Sequence, residues 1–413
     1  MPQQLLDLEF QESTLEETNP VPASFLDAIR SFRFEGKQPL EVEKDGIPFF
    51  IGEFWTARQR QGHRLHEISY RACFKPQLPE FFISRLTKPG QMVYDPFMGR
   101  GTTVLQAALM DRKGVGVDIN PLSILLTKPR LSPPPLEKIQ ERLQEIVLEG
   151  DIDTPEDLLV FFHPNTLRAL CKLREWFSNR NYEGKIDSVD EWIQMIALNR
   201  LTGHSSGFFS VFTLPPNQAV TVKSQRKINE KRNQIPPERD VRALILKKSR
   251  ILLKDLGPTR VKGHSLYTAS ASSASMVPKG AIDLIVTSPP FMDVVQYSSD
   301  NWMRLWFAKI DPASISISIF KTESDWKNFI LECFTDFARV LRHGGKIAFE
   351  VGEVRGGSIN LEDLVISAIK SLPFAIIGVV VNSQDFTKTS NCWGVANNVK
   401  GTNTNRIVVL ERN

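Results

Sequence analysis

The chain has 413 residues, of which 41% are hydrophobic and 24% are charged, and its formal net charge at pH 7 is +4. This length predicts two or three structural units with a large buried core, and the composition excludes an intrinsically disordered protein and a fibre. No apolar run approaches 18 residues and the acidic N-terminal sequence lacks a secretory pattern, so we expect a cytoplasmic protein without a membrane span.

The cysteines lie far apart in the sequence and form no CxxC pair; they are Cys73, Cys171, Cys333 and Cys392. This spacing argues against a disulfide framework and against a structural zinc site. We therefore predict a protein of a reducing compartment with no metal site.

The first half of the chain predicts an N-terminal extension followed by an α/β unit. Residues 1–60 include Pro20, Pro22, Pro39 and Pro48 and predict an irregular lead-in. Within residues 61–135, the segments QMVYDPF (91–97) and KGVGVDI (113–119) predict strands, and TTVLQAALM (102–110) between them predicts a helix. Strand, glycine turn, helix and strand make up half of a nucleotide-binding sheet.

Residues 136–262 predict a mainly helical insertion, which contains a polar, proline-marked loop at 213–239. Residues 223–260 hold twelve Lys or Arg against four Asp or Glu. Such a basic block indicates either contact with nucleic acid or a solvated helix face.

The α/β pattern returns in residues 263–413. AIDLIVTSPPF (281–291) predicts a buried strand, and WKNFILECFTDFARVL (326–341) predicts an amphipathic helix. The two apolar segments AIIGVVVNSQ (375–384) and RIVVLER (406–412) predict a closing antiparallel pair. The expected fold is therefore a Rossmann-like α/β sheet with a C-terminal antiparallel pair, interrupted by the helical insertion.

The glycine turn DPFMGRGTT (95–103) ends a strand and opens a helix. Gly99 and Gly101 allow a ligand to approach the backbone, and Thr102 and Thr103 lie at the helix N-terminus. The turn lacks the GK[ST] ending of a phosphate loop and the full GxGxxG spacing, so phosphate binding is disfavoured. Taken by itself, it also fits a plain tight turn.

An acid follows this turn at the end of the next predicted strand. Asp118 lies 23 residues after Asp95, where an acid in a doubly wound sheet binds ribose hydroxyls. The implied ligand has a ribose and no phosphate near the loop. S-adenosylmethionine fits, because its positive charge suits a carboxylate such as Asp95.

The segment TSPPF (287–291) follows a buried strand directly. Pro289 and Pro290 fix φ and remove two N–H donors, which leaves the Ser288 hydroxyl and backbone carbonyls as rigid acceptors beside Phe291. These acceptors suit the two protons of a planar exocyclic amine, whose base stacks on the aromatic ring. A proline-stiffened turn after a core strand is the structural alternative.

On these motifs the chain resembles the S-adenosylmethionine-dependent amino-methyltransferases of DNA. DPFMGRGTT is similar to the family's cofactor loop, and TSPPF is similar to its catalytic motif in the form typical of N4-cytosine enzymes. FKPQLPEFFI (74–83) and GVGVDINP (114–121) resemble two further cofactor segments. The resemblance implies a Rossmann-like methyltransferase sheet, catalytic residues Ser288, Pro289, Pro290 and Phe291, and cofactor residues Lys75, Pro76, Asp95, Pro96, Phe97, Gly99, Gly101, Thr102, Thr103, Asp118, Ile119 and Asn120.

One segment departs from the family pattern. VKGHSLYT (261–268) lies where the family often has a strand followed by an acid near the adenine ring, and here His264 or Ser265 stands at that place. The alternative is that His264 is a residue of a surface loop.

The order of the motifs resembles the family's alpha group, with the insertion as the region available for target recognition. The resemblance implies double-stranded DNA as substrate, with the target cytosine flipped out, and a separately encoded restriction endonuclease as a candidate partner. The DNA-contacting residues expected from the basic segment are Lys223, Arg226, Lys227, Lys231, Arg232 and Arg239. The alternatives are an adenine-N6 enzyme, an RNA amino-methyltransferase and a non-enzymatic DNA-binding module.

Overall fold

The computed structural model describes residues 24–55, 62–70, 73–213, 219–256, 262–292, 300–315, 320–354, 359–383 and 404–413. Within these residues, no helix combines the length and the apolar character needed to cross a membrane.

The strands form one large mixed sheet and a small hairpin. They are β1 (Leu40–Lys44), β2 (Ile47–Gly52), β3 (Met92–Asp95), β4 (Lys113–Asp118), β5 (Ser265–Thr268), β6 (Ile282–Thr287), β7 (Leu341–Val351), β8 (Glu353–Val354), β9 (Ile359–Asn360), β10 (Phe374–Ser383) and β11 (Thr404–Arg412). The large sheet has the order β1-β2-β10-β11-β7-β6-β3-β4-β5, and β8 pairs with β9.

The strand directions confirm the predicted Rossmann-like sheet. Neighbours are parallel from β7 through β6, β3 and β4 to β5. β11 is antiparallel to both β7 and β10, which is the predicted closing pair. The connections between parallel strands place helices on both faces of such a sheet.

The helices are α1 (Phe25–Arg30), α2 (Gln77–Leu86), α3 (Thr102–Leu109), α4 (Leu122–Leu131), α5 (Leu136–Glu145), α6 (Pro164–Tyr182), α7 (Ser188–Arg200), α8 (Val222–Arg232), α9 (Val241–Leu253), α10 (Trp302–Ala308), α11 (Glu323–Val340) and α12 (Leu361–Ala368). Helices α5 to α9 form the predicted helical insertion. Local signals fix several helix starts, because side chains accept hydrogen bonds from otherwise unpaired N–H groups. Asp187 and Asp190 form a capping box at α7, and Thr322 caps α11.

The prediction of an irregular lead-in is wrong for residues 24–55. β1 and β2 form an antiparallel hairpin through a turn at Asp45 and Gly46, both with positive φ, and β2 then pairs in parallel with β10. An Asp-Gly pair is a strong hairpin signal. Pro48 obscured this signal, because a proline argues against a strand. In the structure, Pro48 lies outside the residues of β2 that pair with β10.

The predicted polar loop at 213–239 also contains a helix. Thr221 accepts a hydrogen bond from the Ser224 N–H at the start of α8, and Asn233 adopts the left-handed conformation at its end. Lys223, Arg226, Lys227, Lys231 and Arg232 therefore lie on a regular helix, whereas Arg239 lies after its end.

The helical insertion shares a hydrophobic core with the sheet helices. Phe161 and Trp192 of the insertion belong to the same buried cluster as Leu105 of α3, Leu126 of α4 and Phe307 of α10. The opposite face of the sheet is covered by α11, whose Phe334 and Phe337 are fully buried.

Candidate functional site

A pocket lies at the carboxyl ends of the parallel strands, where ligands bind in open α/β sheets. Its walls include Asp95 at the end of β3, Asp118 at the end of β4, and Ser288 after β6. It holds about 940 Å³ of empty space, including the part open to solvent.

The glycine loop has the geometry that its sequence predicts. Gly99 and Gly101 both have positive φ, and α3 begins directly after Gly101. A Cβ on Gly101 would lie 2.4 Å from the Thr127 side chain of α4. Gly101 is therefore required for the packing of α3 against α4, whereas Gly99 lines the pocket.

Asp95 is a buried acid on the pocket wall. Its Oδ1 accepts hydrogen bonds from the Thr287 hydroxyl at 2.6 Å and from the Phe97 N–H at 3.1 Å. Burial raises the pKa of Asp95 to about 7, although these hydrogen bonds favour the ionised form. A cationic ligand beside this carboxyl group would favour its ionisation further.

Asp118 holds the cofactor loop and the start of α4 together. Its Oδ2 accepts the Gly99 N–H and its Oδ1 accepts the Asn120 N–H, each at 2.8 Å. Burial raises the pKa of Asp118. Asn120 lines the same wall, and its Nδ2 donates no hydrogen bond to any described residue, so this buried donor is available to a ligand.

The TSPPF segment (287–291) lies along the pocket wall and is hydrogen-bonded to α11. Ser288 is half-buried on the pocket wall, Pro289 is buried, and Pro290 lines the pocket. The Pro290 carbonyl accepts a hydrogen bond from the Trp326 indole N–H at 2.9 Å. Phe291 is half-buried and packs against the core beneath α11 rather than on the pocket wall.

Glu350 on β7 is a site residue that the sequence analysis missed. It is 5% exposed, and burial raises its pKa to about 6, against the lowering effects of hydrogen bonds from the Ser288 hydroxyl and the Asn405 amide. The Asn405 Nδ2 lies 2.8 Å from its Oε1. The sequence signal that could have identified Glu350 was an acid within the apolar strand KIAFEVG, because a buried charge requires a partner.

Most of the predicted site residues come together in the pocket. Those on its wall are Asp95, Pro96, Phe97, Gly99, Thr102, Asp118, Ile119, Asn120, Ser288 and Pro290. Those outside the wall are Lys75, Pro76, Gly101, Thr103, Pro289 and Phe291. Pro76 precedes α2, and the Thr103 hydroxyl donates to the Val286 carbonyl at 3.0 Å, which fastens α3 to β6.

Several further residues line the pocket without having been predicted. They are Tyr70, Cys73, Phe74, Met98, Ser270, Ala271 and Phe329. The segment before α2 reaches the pocket because Arg100 of the cofactor loop donates to the carbonyls of Ile68 at 2.6 Å and Phe74 at 3.4 Å. Contacts of this kind depend on the folded chain path and leave no local sequence pattern.

The expectation that His264 or Ser265 stands near the adenine ring is wrong. The His264 Nδ1 accepts the Gly114 N–H at 3.0 Å, near the amino end of β4, and Ser265 begins β5. The pocket lies at the opposite ends of these strands. There, Ser270 and Ala271 follow β5 and line the wall.

The basic residues of α8 form an exposed surface outside the pocket. Lys223, Arg226, Lys227 and Lys231 follow helical spacing on one side, while Gln225 is buried on the other. None of these four forms an ion pair within the part of the chain that the structure describes.

The other two predicted DNA-contacting residues have different surroundings. The Arg232 guanidinium lies 3.8 Å from the centroid of the Phe212 ring. Arg239 is half-buried, and its backbone N–H donates to the Thr166 hydroxyl at 2.8 Å.

The residues of the pocket fit S-adenosylmethionine. Asp118 stands where a ribose acid is expected, Asp95 supplies an anionic wall, and Asn120 presents an unpartnered donor. In the described parts of the chain, no group of three or more His, Cys, Asp or Glu side chains is arranged to hold a metal ion.

Comparison with known proteins agrees with this site. Residues 28–128, which include the cofactor loop and Asp118, match the model of the N6_N4_Mtase family, described as DNA methylase. The chain is 33% identical over 90 residues to the Type II methyltransferase M.MjaII of Methanocaldococcus jannaschii, a match that covers 22% of this chain and 17% of that protein. These matches support a DNA methyltransferase.

Two other relatives carry similar descriptions. The match to the Type II methyltransferase M.MvaI of Kocuria varians is 32% identical over 100 residues and covers 24% of this chain and 22% of that protein. The match to the Type II methyltransferase M.BsoBI of Geobacillus stearothermophilus is 22% identical over 286 residues and covers 60% of this chain and 53% of that protein. The chain thus spans about half the length of M.BsoBI and less than a quarter of the other two.

Proposed function

We propose that the protein is a site-specific DNA methyltransferase that transfers a methyl group from S-adenosylmethionine to the N4 amine of a flipped-out cytosine in duplex DNA. The observation that carries this proposal is the shared pocket, whose wall includes Asp95 and Asp118 on one side and Ser288 and Pro290 of the TSPPF segment on the other. The Type II methyltransferase relatives favour a role in a restriction–modification system or as an orphan modification enzyme. A separately encoded endonuclease is then the candidate partner.

The cofactor side of the pocket binds and orients. Asp118 would hold the ribose hydroxyls, and Asp95 would face the positively charged end of the ligand. S-adenosylmethionine supplies an electrophilic methyl group on a sulfonium that is already a good leaving group. The protein therefore has to bring the amine and the methyl group together in line, and no strong general base is needed for the attack.

The catalytic side of the pocket supplies acceptors for the amine. Because the Ser288 hydroxyl donates its proton to Glu350, its oxygen lone pairs are free to accept an N–H of the base. The Pro290 carbonyl is already bonded to Trp326, so the remaining acceptors are the carbonyls of Ser288 and Pro289. Hydrogen bonds to both amine protons favour a more tetrahedral and more nucleophilic nitrogen.

The same pair provides a path for the proton that the methylated amine must lose. The nitrogen passes its proton to the Ser288 oxygen as the serine proton moves to Glu350, so that the hydroxyl is restored. A carboxyl group with a pKa of about 6 is ionised at neutral pH and can receive this proton.

The substrate base and the DNA contacts follow from two further features. A serine rather than an acid in the catalytic motif favours cytosine. Flipping the base out of the duplex costs a few kcal/mol, which contacts within the pocket have to offset. The exposed cations of α8 would neutralise DNA phosphates and orient the duplex.

The test is mass spectrometry of nucleosides from the DNA of a methylation-free bacterial host that expresses the chain. We expect N4-methylcytosine from the wild-type protein. The matched Ser288→Ala variant should yield none while it still binds the cofactor, since Ser288 contacts the base side of the pocket.

Two other results would change the assignment. N6-methyladenine would preserve the reaction but refute cytosine as the target. If the DNA contains neither N4-methylcytosine nor N6-methyladenine and the protein methylates RNA instead, the DNA substrate is refuted and an RNA amino-methyltransferase is favoured.

A further inference from the structure

The catalytic segment has few groups with which to fix its own backbone. Pro289 and Pro290 carry no N–H, so these two residues can be held only through their carbonyls and the packing of their rings. Two of its anchors lie within the sheet. Thr287 donates to Asp95 of β3 at 2.6 Å, and the Ser288 hydroxyl interacts with the Glu350 carboxyl group of β7.

The third anchor comes from outside the sheet. Trp326 in the first turn of α11 is fully buried, and its indole N–H donates to the Pro290 carbonyl at 2.9 Å. This bond fixes the peptide between Pro290 and Phe291, and with it the direction in which Phe291 leaves the motif. It also occupies a carbonyl that would otherwise compete as an acceptor for the amine of the base.

The next turn of the same helix reaches the cofactor loop. Phe329 lies three residues after Trp326 and lines the pocket, and its ring centroid is 5.9 Å from that of Phe97. The start of α11 is set by Thr322, which accepts the Asp325 N–H at 3.1 Å. One rigid helix end therefore contacts the catalytic segment and the cofactor loop, the two sides between which the methyl group must move.

We infer that Trp326 is a positioning residue, which through the Pro290 carbonyl sets the distance and angle between the target amine and the cofactor methyl group. This inference rests on the proposed methyl transfer but not on which base accepts the methyl group. It assigns to α11 a role in the alignment of the reacting groups, in addition to its role in covering the sheet.

The experiment compares kcat and the cofactor and DNA KM values of two variants, on whichever nucleobase the wild-type protein modifies. Trp326→Phe removes the N–H and keeps an apolar ring. Trp326→His keeps a ring N–H, since the Nε2 of its five-membered ring can take the place of the indole Nε1, but it loses more apolar volume. Both are assayed below their unfolding temperatures.

We expect Trp326→Phe to lower kcat roughly 10- to 100-fold with little change in either KM, as for a small misplacement of reacting groups. Trp326→His should have the higher kcat of the two despite the lower stability. If kcat instead follows stability, or if Trp326→Phe keeps the wild-type kcat, the indole N–H has no positioning role.

The matched control is Trp192→Phe in the helical insertion. Trp192 is also fully buried, and its indole N–H donates to the Ser249 hydroxyl at 3.0 Å. This variant should lose similar stability and retain kcat. A fall in kcat equal to that of Trp326→Phe would show that the loss of any buried indole is sufficient. Methylation of adenine by the wild-type protein would refute only the choice of cytosine, and the comparison would proceed on adenine.

Discussion

At the scale of single residues, burial raises the pKa values of three acids in or beside the pocket, which are Asp95, Asp118 and Glu350. Burial raises the pKa of Asp95 to about 7 and the pKa of Glu350, which lies beside Ser288, to about 6. Asp95 and Glu350 therefore change charge close to neutral pH, which is typical of functional sites. Of these two, Asp95 was predictable from its motif. Glu350 was not, because its role depends on β7 lying beside β6.

Glu350 gives a prediction for the pH dependence of the reaction. With cofactor and DNA saturating, wild-type kcat should rise with pH through about 6, since only the ionised carboxylate orients the Ser288 hydroxyl and accepts its proton. Glu350→Gln should abolish this rise and lower the plateau by roughly 10²- to 10⁴-fold, the usual contribution of an acid–base group. A pH–kcat profile of the variant that still rises near 6 would assign that ionisation to another group.

Stability should respond to the same substitution in a defined direction. The folded-state pKa of Glu350 is raised, so the folded protein binds this proton more tightly than the unfolded chain does. Ionisation therefore costs stability as pH rises from about 4.5 to about 6. Relative to wild type, Glu350→Gln should gain stability across that interval in urea unfolding experiments. This separates its loss of activity from a loss of folding.

At the scale of secondary-structure elements, the sequence was sufficient where local patterns decide the structure. The strands β3, β4 and β6, the glycine loop and α11 follow from apolar periodicity and glycine placement. α8 was missed because it contains almost no apolar residues. It is held by polar contacts instead, in which Gln225 donates to the Phe212 carbonyl at 3.1 Å and Asn229 donates to the Val160 carbonyl at 2.7 Å.

The exposed side of α8 gives a prediction for DNA binding. Replacing Lys223, Lys227 and Lys231 by glutamine should weaken binding and make the slope of log K against log salt less negative by about 2 to 3, since each phosphate contact contributes ~0.9. Binding isotherms at several salt concentrations measure this slope.

The control for this prediction removes three lysines that already have carboxylate partners. Lys44, Lys138 and Lys185 pair with Asp363, Glu141 and Glu183, respectively. Their replacement by glutamine gives the same change in net charge and should leave the slope unchanged. Equal salt slopes in the two triple variants would show that the DNA-binding surface is not on α8.

At the scale of the whole molecule, packing connects segments that the sequence presents as separate. The division into an N-terminal extension, a cofactor-binding half, an insertion and a catalytic half remains a prediction. The buried cluster that joins Leu105 and Leu126 to Phe161, Trp192 and Phe307 crosses these divisions. Contacts between residues so distant in sequence have no local signature, which is why the continuity of the core was not predicted.

The N-terminal hairpin gives the prediction at this scale. Phe50 of β2 is 1% exposed, pairs with Val380 of β10, and packs in one cluster with Phe82 and Ile407. Phe50→Ala should therefore lower the free energy of unfolding by about 3–5 kcal/mol, as expected for truncating a core phenylalanine. Urea unfolding measures this change, with Leu40→Ala as the control, because Leu40 on the neighbouring β1 is 62% exposed and should change stability little.

Phe50→Ala also tests whether the edge of the sheet influences the cofactor pocket. In the sheet order, β10, β11 and β7 lie between β2 and β6, so the hairpin is remote from the strand that carries Ser288. Below its unfolding temperature, Phe50→Ala should therefore bind cofactor with wild-type affinity in calorimetric titrations. Truncating an aromatic side chain in a core costs more than about 1 kcal/mol of unfolding free energy. If Phe50→Ala lowers the free energy of unfolding by less than this, residues 24–55 are a detachable extension and not part of the core.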